Sequence, residues 1–237
     1  MLDALFSALS GLGVSSRKIQ TSANNLANVQ TSGFKASRAD VADTKTGGAT
    51  VTSVSRSSAQ GSILTTSNPM DLAVGGNGFF QVALPNGGTG FTRAGNFKLD
   101  GAGRLVTSDG NPLIPEIAVP AGATEIAIGE TGQVNAQVAG GIVNLGQIQL
   151  ANFANPAGLS AAGGNVLLET AASGAPLAGN PGTGEFGTLI SGAVEGSNVD
   201  IAGEIVDQIV AKAAFKANIS VIKTADEMTG SILDIKA

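Results

Sequence analysis

Histidine, cysteine, tryptophan and tyrosine are all missing from this 237-residue chain. Without Cys or His there is no disulfide framework, no ordinary zinc ligand set, no thiol nucleophile and no imidazole base. Most catalytic toolkits are therefore unavailable, and we expect no enzymatic centre, no catalytic residue, no metal and no cofactor. Charge is sparse as well: 13% of residues carry it, the net value is -5, and not one Lys or Arg falls between Arg104 and Lys212. A phosphate backbone demands a basic footprint, so nucleic acid is not an expected partner. No uninterrupted apolar run approaches the ~20 residues of a membrane span, so membrane insertion is not expected either. The segment from Met1 to Val14 is apolar enough to mimic a secretory signal, but Asp3 occupies the place of a basic start and no clean cleavage site follows, so it reads as a retained helix.

What the chain does have is glycine, 34 residues of it, and a hydrophobic content of 43%, a turn-rich composition that still supports a core. The longest patterned stretch is the last one, Asp200 to Ala237, which contains no proline. Val206, Val210, Ala214, Ala217, Val221, Ala225, Met228, Ile232 and Ile235 recur in threes and fours, and a second stripe runs through Ile201, Ile205, Ile209, Ile219 and Ile222. One apolar face suffices for packing on a core, whereas two adjoining faces call for several helical neighbours. Ser197, Asn198 and Asp200 supply candidate N-caps, and Glu204 and Asp207 add negative charge at the positive end of the helix. At the other terminus Leu2, Leu5, Leu9, Leu12, Ile19, Ala23 and Leu26 keep a coiled-coil register interrupted only by Ser16. The spacing predicts a helix that ends near Asn28 to Gly33, with Gly33 as a left-handed cap.

Between the two helices the pattern is short strands and turns. A strand is expected at Thr50 to Arg56 in an otherwise extended arm. Further on, Asn77-Gly78 reads as a hairpin turn between a strand ending at Val74 and one starting at Phe79. As a phosphate loop the Gly-rich run around it is weak, since no Lys-Ser/Thr and no helix follow. Asn86-Gly87, Asp100-Gly101 and Asp109-Gly110 continue the turn chemistry. Arg93 and Arg104 are expected in surface pairs with carboxylates such as Asp100 and Asp109. Alternation at Ile126/Ile128 and Ile148/Leu150 marks half-buried strands, residues 152–169 have room for one helical turn, and Thr188 to Val194 reads as a last strand. The fold expected is α+β: long N- and C-terminal helices packed as a coiled-coil-like domain, with an inserted all-β region. A carbohydrate-acting site drawn from Asp100, Asp109, Glu116 and Glu125 is a poor alternative, because Phe is the only aromatic available to stack on a sugar. A β-rich adhesin or binding module on a helical stalk accounts for the same composition.

Several stretches resemble a known family in order along the chain. Ala23-Asn24-Asn25-Leu26-Ala27-Asn28-Val29 with Thr31-Ser32-Gly33-Phe34-Lys35, Gly76-Asn77-Gly78-Phe79-Phe80, and Ser197-Asn198-Val199 resemble the signatures of the bacterial flagellar rod and hook proteins, most like the distal rod members. The segment after Phe34 is shorter here than in those members. The resemblance implies a structural subunit that polymerises into a tubular rod and transmits torque from motor to hook, with a hook or another rod subunit as the alternative. It also implies residence in the flagellar basal body, in a rod crossing the periplasm, and export without a cleaved signal. Partners would be further copies of itself, other rod and hook proteins, rod-surrounding ring proteins and the flagellar export apparatus. Residues 1–34 and 198–237 would form the helical axial core, 35–75 and 186–197 a β linker, and 76–185 a β-rich outer domain. The helical surfaces named above would be the assembly contacts.

Overall fold

The structure, a computed structural model, describes residues 2–45 and 47–234; Ile235 and the side chains of Leu2 and Ile232 lie outside the described part. It is α+β, and its chain divides into two compact units, one made of residues 1–29, 35–57 and 199–237 and the other of 30–34 and 58–198.

The first unit holds two helices, α1 (Leu2–Ala27) and α2 (Ile201–Asp234), packed along each other. Asn25 of α1 meets Glu204 of α2, while Gly11 lies against Asn218, so the helices run antiparallel. α2 extends unbroken for 34 residues, roughly 50 Å. Its start is set by Asp200, whose Oδ1 accepts from the Ala202 N–H at 3.1 Å and whose carbonyl accepts from Glu204 N at 2.9 Å. α1 ends beside Asn28 as expected, but not through a cap at Gly33. Asn28 closes it, its N–H reaching the carbonyls of Asn24 and Asn25 and its side-chain amide the Asn24 carbonyl at 2.9 Å. Gly33 sits beyond the helix, in the second unit, at φ +69, and a Cβ there would lie 2.4 Å from the Ala94 amide nitrogen. Its requirement is therefore a left-handed backbone in close contact with another chain segment, not a helix cap.

A hairpin of Ser37–Asp43 and Ala49–Arg56 lies beside α1. Only its second strand is visible in the pattern of apolar residues; the first, Ser-Arg-Ala-Asp-Val-Ala-Asp, is too polar to announce itself. The Ala49 N–H donates to Ser10 Oγ at 3.1 Å, which fixes the hairpin loop against the helix.

The second unit is all β apart from one turn of 3-10 helix at Pro156–Gly158, where a helical turn was expected. Its largest sheet runs Ser160–Gly163, Val166–Leu168, Thr89–Thr92, Phe79–Ala83, Leu150–Asn152, Leu177–Gly179, with Leu113–Ile114 also on Phe79–Ala83. A three-stranded meander follows the order Glu125–Ile128, Gln133–Val138, Gly141–Gln147. The expected hairpin around Asn77-Gly78 does not form. Leu72–Gly75 pairs with Thr188–Ser191 and Phe79–Ala83 with Thr89–Thr92, so the turn carries the chain from one sheet to another. Gly78 makes this possible at φ +127, with Leu150 packed against the place a side chain would occupy. The single last strand expected over Thr188 to Val194 is split at Gly192 into Thr188–Ser191 and Ala193–Glu195, which pair with different partners.

Many of the apolar side chains in this unit point inward, although Leu64, Ile142 and Leu177 stand at its surface. Leu72, Val74, Phe80, Leu105, Leu113, Ile117, Ile148, Leu150 and Leu189 are sealed in one core, and Phe79, Phe91 and Phe153 stack edge to face in a second.

Candidate assembly surface

The helical unit inverts that arrangement. The face of α2 turned to α1 carries Ala211, Phe215, Asn218, Ile222 and Ala225, a 3-4 spacing of small, polar and apolar residues. Its counterpart on α1 runs through Ala8, Leu12, Ser15, Ile19, Ser22 and Leu26. Small residues let the helix axes approach, and a Cβ at Gly11 would fall 2.6 Å from Asn218 Nδ2, so a side chain there requires the Asn218 amide to turn aside.

The residues named from periodicity distribute around this seam as follows. On α1, Leu5, Leu12, Ile19 and Leu26 are half-buried, while Leu9 is exposed together with Phe6. On α2, Ile219 is half-buried and Ala225 buried, but Ile205, Val206, Ile209, Val210, Ala214, Ala217, Val221 and Met228 all face away from the partner helix. Ile209 is 62% exposed and Val210 60%. At 100° per residue, Val206, Val210, Ala214, Ala217, Val221 and Met228 form one strip along the flank of α2 with no charged residue inside it, while Lys212, Lys216 and Lys223 cluster on the opposite flank beside Ile205 and Ile209. Monomeric proteins rarely leave so much contiguous apolar surface to water. A groove of about 820 Å³ on the other side of α1 adds to it, lined by Phe6, Ser10, Val14, Thr50 and Val51 with Asp3 and Arg17 along its rim.

The family-motif residues are structural fasteners. Asn25, only 1% exposed, uses its whole side-chain amide: Nδ2 donates to the Ser37 carbonyl at 2.7 Å and to Glu204 Oε1 at 2.6 Å, and Oδ1 accepts from Ser37 N at 2.9 Å. Ser22 Oγ adds a bond to the Glu204 carbonyl. In the β unit, Gly33 N donates to the Glu195 carbonyl, Asn198 N to the Phe34 carbonyl and Asn198 Nδ2 to the Ala59 carbonyl. Gly78, Phe79 and Phe80 are buried, and Ser197 and Val199 half-buried, on the return toward α2. Asn24 and Ala27 stay at the surface.

The two arginines differ: one matches the expectation and the other does not. Arg104 does make the surface pair, with Asp100 at 2.8 Å and Glu116 at 3.3 Å. Backbone N–H groups of Arg104 and Ala102, with the Arg104 guanidinium, hold the Asp100 carboxyl below its ordinary range. Two of the four carboxylates weighed for sugar chemistry are thus tied to one arginine. Arg93, expected at the surface, is instead buried and pairs with buried Glu195 at 3.2 Å. Its second nitrogen donates to the Gly76 carbonyl, its guanidinium covers Phe79 at 5.0 Å, and the other Glu195 oxygen accepts from Gly61 N. Burial pulls the Arg93 guanidinium down from its ordinary value, while Glu195 pushes it back up. No sequence signal links these two residues, which stand 102 positions apart. Among the described residues no carboxylate group is arranged to hold a metal, and no helix is long and apolar enough to cross a membrane.

Two family models match this chain: the flagellar hook protein FlgE/F/G D1 domain over residues 73–136 and the C-terminal domain of the flagellar basal body rod FlgEFG proteins over residues 190–235. These define its class, the flagellar axial rod and hook proteins. Similarity over nearly the full length narrows the class. The flagellar basal-body rod protein FlgG of Caulobacter vibrioides is 39% identical over 253 positions, covering 96% of this chain and 97% of that protein. The FlgG proteins of Agrobacterium fabrum, 37% identical with 98% of each covered, and Bacillus subtilis, 36% identical with 100% of each covered, agree. The Escherichia coli hook protein FlgE, by contrast, matches over only 39% of this chain and 23% of its own length, although at 48% identity. The chain belongs to the FlgG family of flagellar basal-body rod proteins and is a structural component of the basal body. Alignments of 253 positions against a chain of 237 residues also mean that the relatives carry segments this chain lacks.

Proposed function

We propose that this chain self-assembles into the helical tube of the distal rod and carries torque from motor to hook, acting as a mechanical part and not as a catalyst. Residues 1–34 and 198–237 serve as the axial core in this reading, 35–75 and 186–197 as the linker, and 76–185 as the outer domain. The observation that carries it is the apolar flank of α2, Val206 to Met228, a strip along one helix left uncovered by its own chain, whereas the β unit seals a large apolar core and exposes only scattered apolar residues. A face of this kind on a chain in an axial-protein family is matched by neighbouring copies, and a head-to-tail contact that does not close into a ring propagates as a helix. The groove beside Phe6 and Val51 offers a second contact surface. Export through the flagellar secretion apparatus without cleavage, a position crossing the periplasm, and contacts with other rod and hook proteins and with surrounding ring proteins follow from the same reading.

Removing residues 200–237 tests it. The expected product is a folded β unit that never enters tubes, seen by electron microscopy of the purified protein; tubes of normal appearance from the truncated chain would overturn the proposal.

A further inference from the structure

The seam between α1 and α2 is close to repeating itself every seven residues. On α1 the small positions are Ala8, Ser15 and Ser22 and the larger ones Leu5, Leu12 and Ile19; on α2 Ala211 and Ala225 bracket Asn218, with Phe215 and Ile222 between them. Sliding one helix past the other by a heptad, about 10 Å at 1.5 Å per residue, keeps the small and larger rows of α1 facing the same rows of α2, exchanging Asn218 with Ala211 or Ala225. Apart from the contact of Gly11 with Asn218, packing therefore discriminates poorly between registers. The buried amide of Asn25 does not repeat. It is engaged on three sides by groups with fixed positions: both backbone groups of Ser37 at the start of the hairpin, and the Glu204 carboxylate in the first turn of α2.

We propose that Asn25 is the register-setting residue of the helical pair. A slip of α2 in either direction removes Glu204 from reach and leaves a donor of Asn25 buried without a partner, a cost that the packing terms do not impose. A single buried polar residue at a core position is an established way of choosing one register among near-equal ones. The same amide holds the hairpin, so register and hairpin docking are chosen together. One consequence is that Asn25 determines which level of the apolar flank of α2 lies beside Phe6 and Leu9 of α1. The inference concerns the contacts of one chain with itself and stands independently of the assembly reading.

The absence of native cysteine makes the test clean. Full-length chains carrying Gly11→Cys are paired with a second cysteine at Asn218, at Ala211 or at Ala225, the native level and the levels one heptad to either side, and are oxidised. With Asn25 intact, disulfide forms only in the 11/218 pair. With Asn25→Ala, the 11/218 band weakens and an 11/211 or 11/225 band absent from the parent appears, while helical circular dichroism is retained. With Asn25 intact, Glu204→Gln, which keeps an oxygen acceptor for the Asn25 amide, leaves the cross-link restricted to 11/218. An Asn25→Ala chain that cross-links only at 11/218, or that loses helicity and cross-links nowhere, overturns the proposal, since Asn25 is then at most a contributor to stability.

Discussion

The two compact units divide their hydrophobic residues between interior and surface in different proportions. In the β unit, Phe80, Leu150, Leu189 and their neighbours are sealed from water, and even its ion pair Arg93–Glu195 is interior. In the helical unit, α2 gives its partner alanines, Asn218, Phe215 and Ile222, and gives solvent Val206, Val210, Val221 and Met228. The contrast teaches that one unit is finished by its own chain and the other is not. A helix needing only one partner would turn its β-branched side chains to that partner. Here the valines stand on the flank, and the fit to α1 mixes small and polar residues with Phe215 and Ile222.

The sharpest way to break this comparison is to damage the closed unit. Glu195→Ala strands the Arg93 guanidinium in the interior and is expected to cost about 3–5 kcal/mol, read by denaturant unfolding of the full chain. Phe80→Ala removes a fully buried ring and is expected to cost a similar amount, about 3–5 kcal/mol. If either left unfolding unchanged, the β unit would not be the self-sufficient body described. Gly33→Ala comes next: it requires φ +69 and faces the Ala94 backbone, so a loss of about 1–3 kcal/mol is expected by the same measurement. Deletions on the open unit should read differently. Val210→Ala removes as much apolar surface as many core changes yet is expected to move the stability of the free chain by no more than about 0.5 kcal/mol, with the loss appearing instead as a higher concentration for assembly. A large destabilisation of the free chain by Val210→Ala would erase the distinction. The smallest effect belongs to Asp100, whose folded pKa lies below the ordinary 3.8 through the amides and guanidinium around it. Its contribution is present above that ordinary value and is lost as pH falls through the folded one. Asp100→Asn should thus be slightly less stable than the parent at neutral pH and equal to it in strong acid; a gap that widened on acidification would contradict the assignment.

Much of this was legible in the residues. Asp200 followed by an unbroken apolar pattern announced α2, because capping and periodicity are local, and the Asn-Gly and Asp-Gly pairs marked turns for the same reason. What periodicity does not encode is which of several overlapping faces meets the partner. Leu9 and Ala23 fit the heptad as well as Ala8 and Ser22 do, and only the close approach at Gly11 favours the latter. Long-range pairings were equally silent: Leu72–Gly75 chooses Thr188–Ser191 over its neighbour across the turn, and Arg93 finds Glu195 instead of a nearby aspartate. The motif around Asn25 was visible as a signature, but its role depends on Ser37 and Glu204 arriving together.

The most direct test of the open face is the double variant Val210→Asp, Val221→Asp, examined by circular dichroism in solution and by electron microscopy under assembling conditions. The account predicts an unchanged helical signal and no tubes. Tubes as abundant and as regular as those of the parent chain would contradict it.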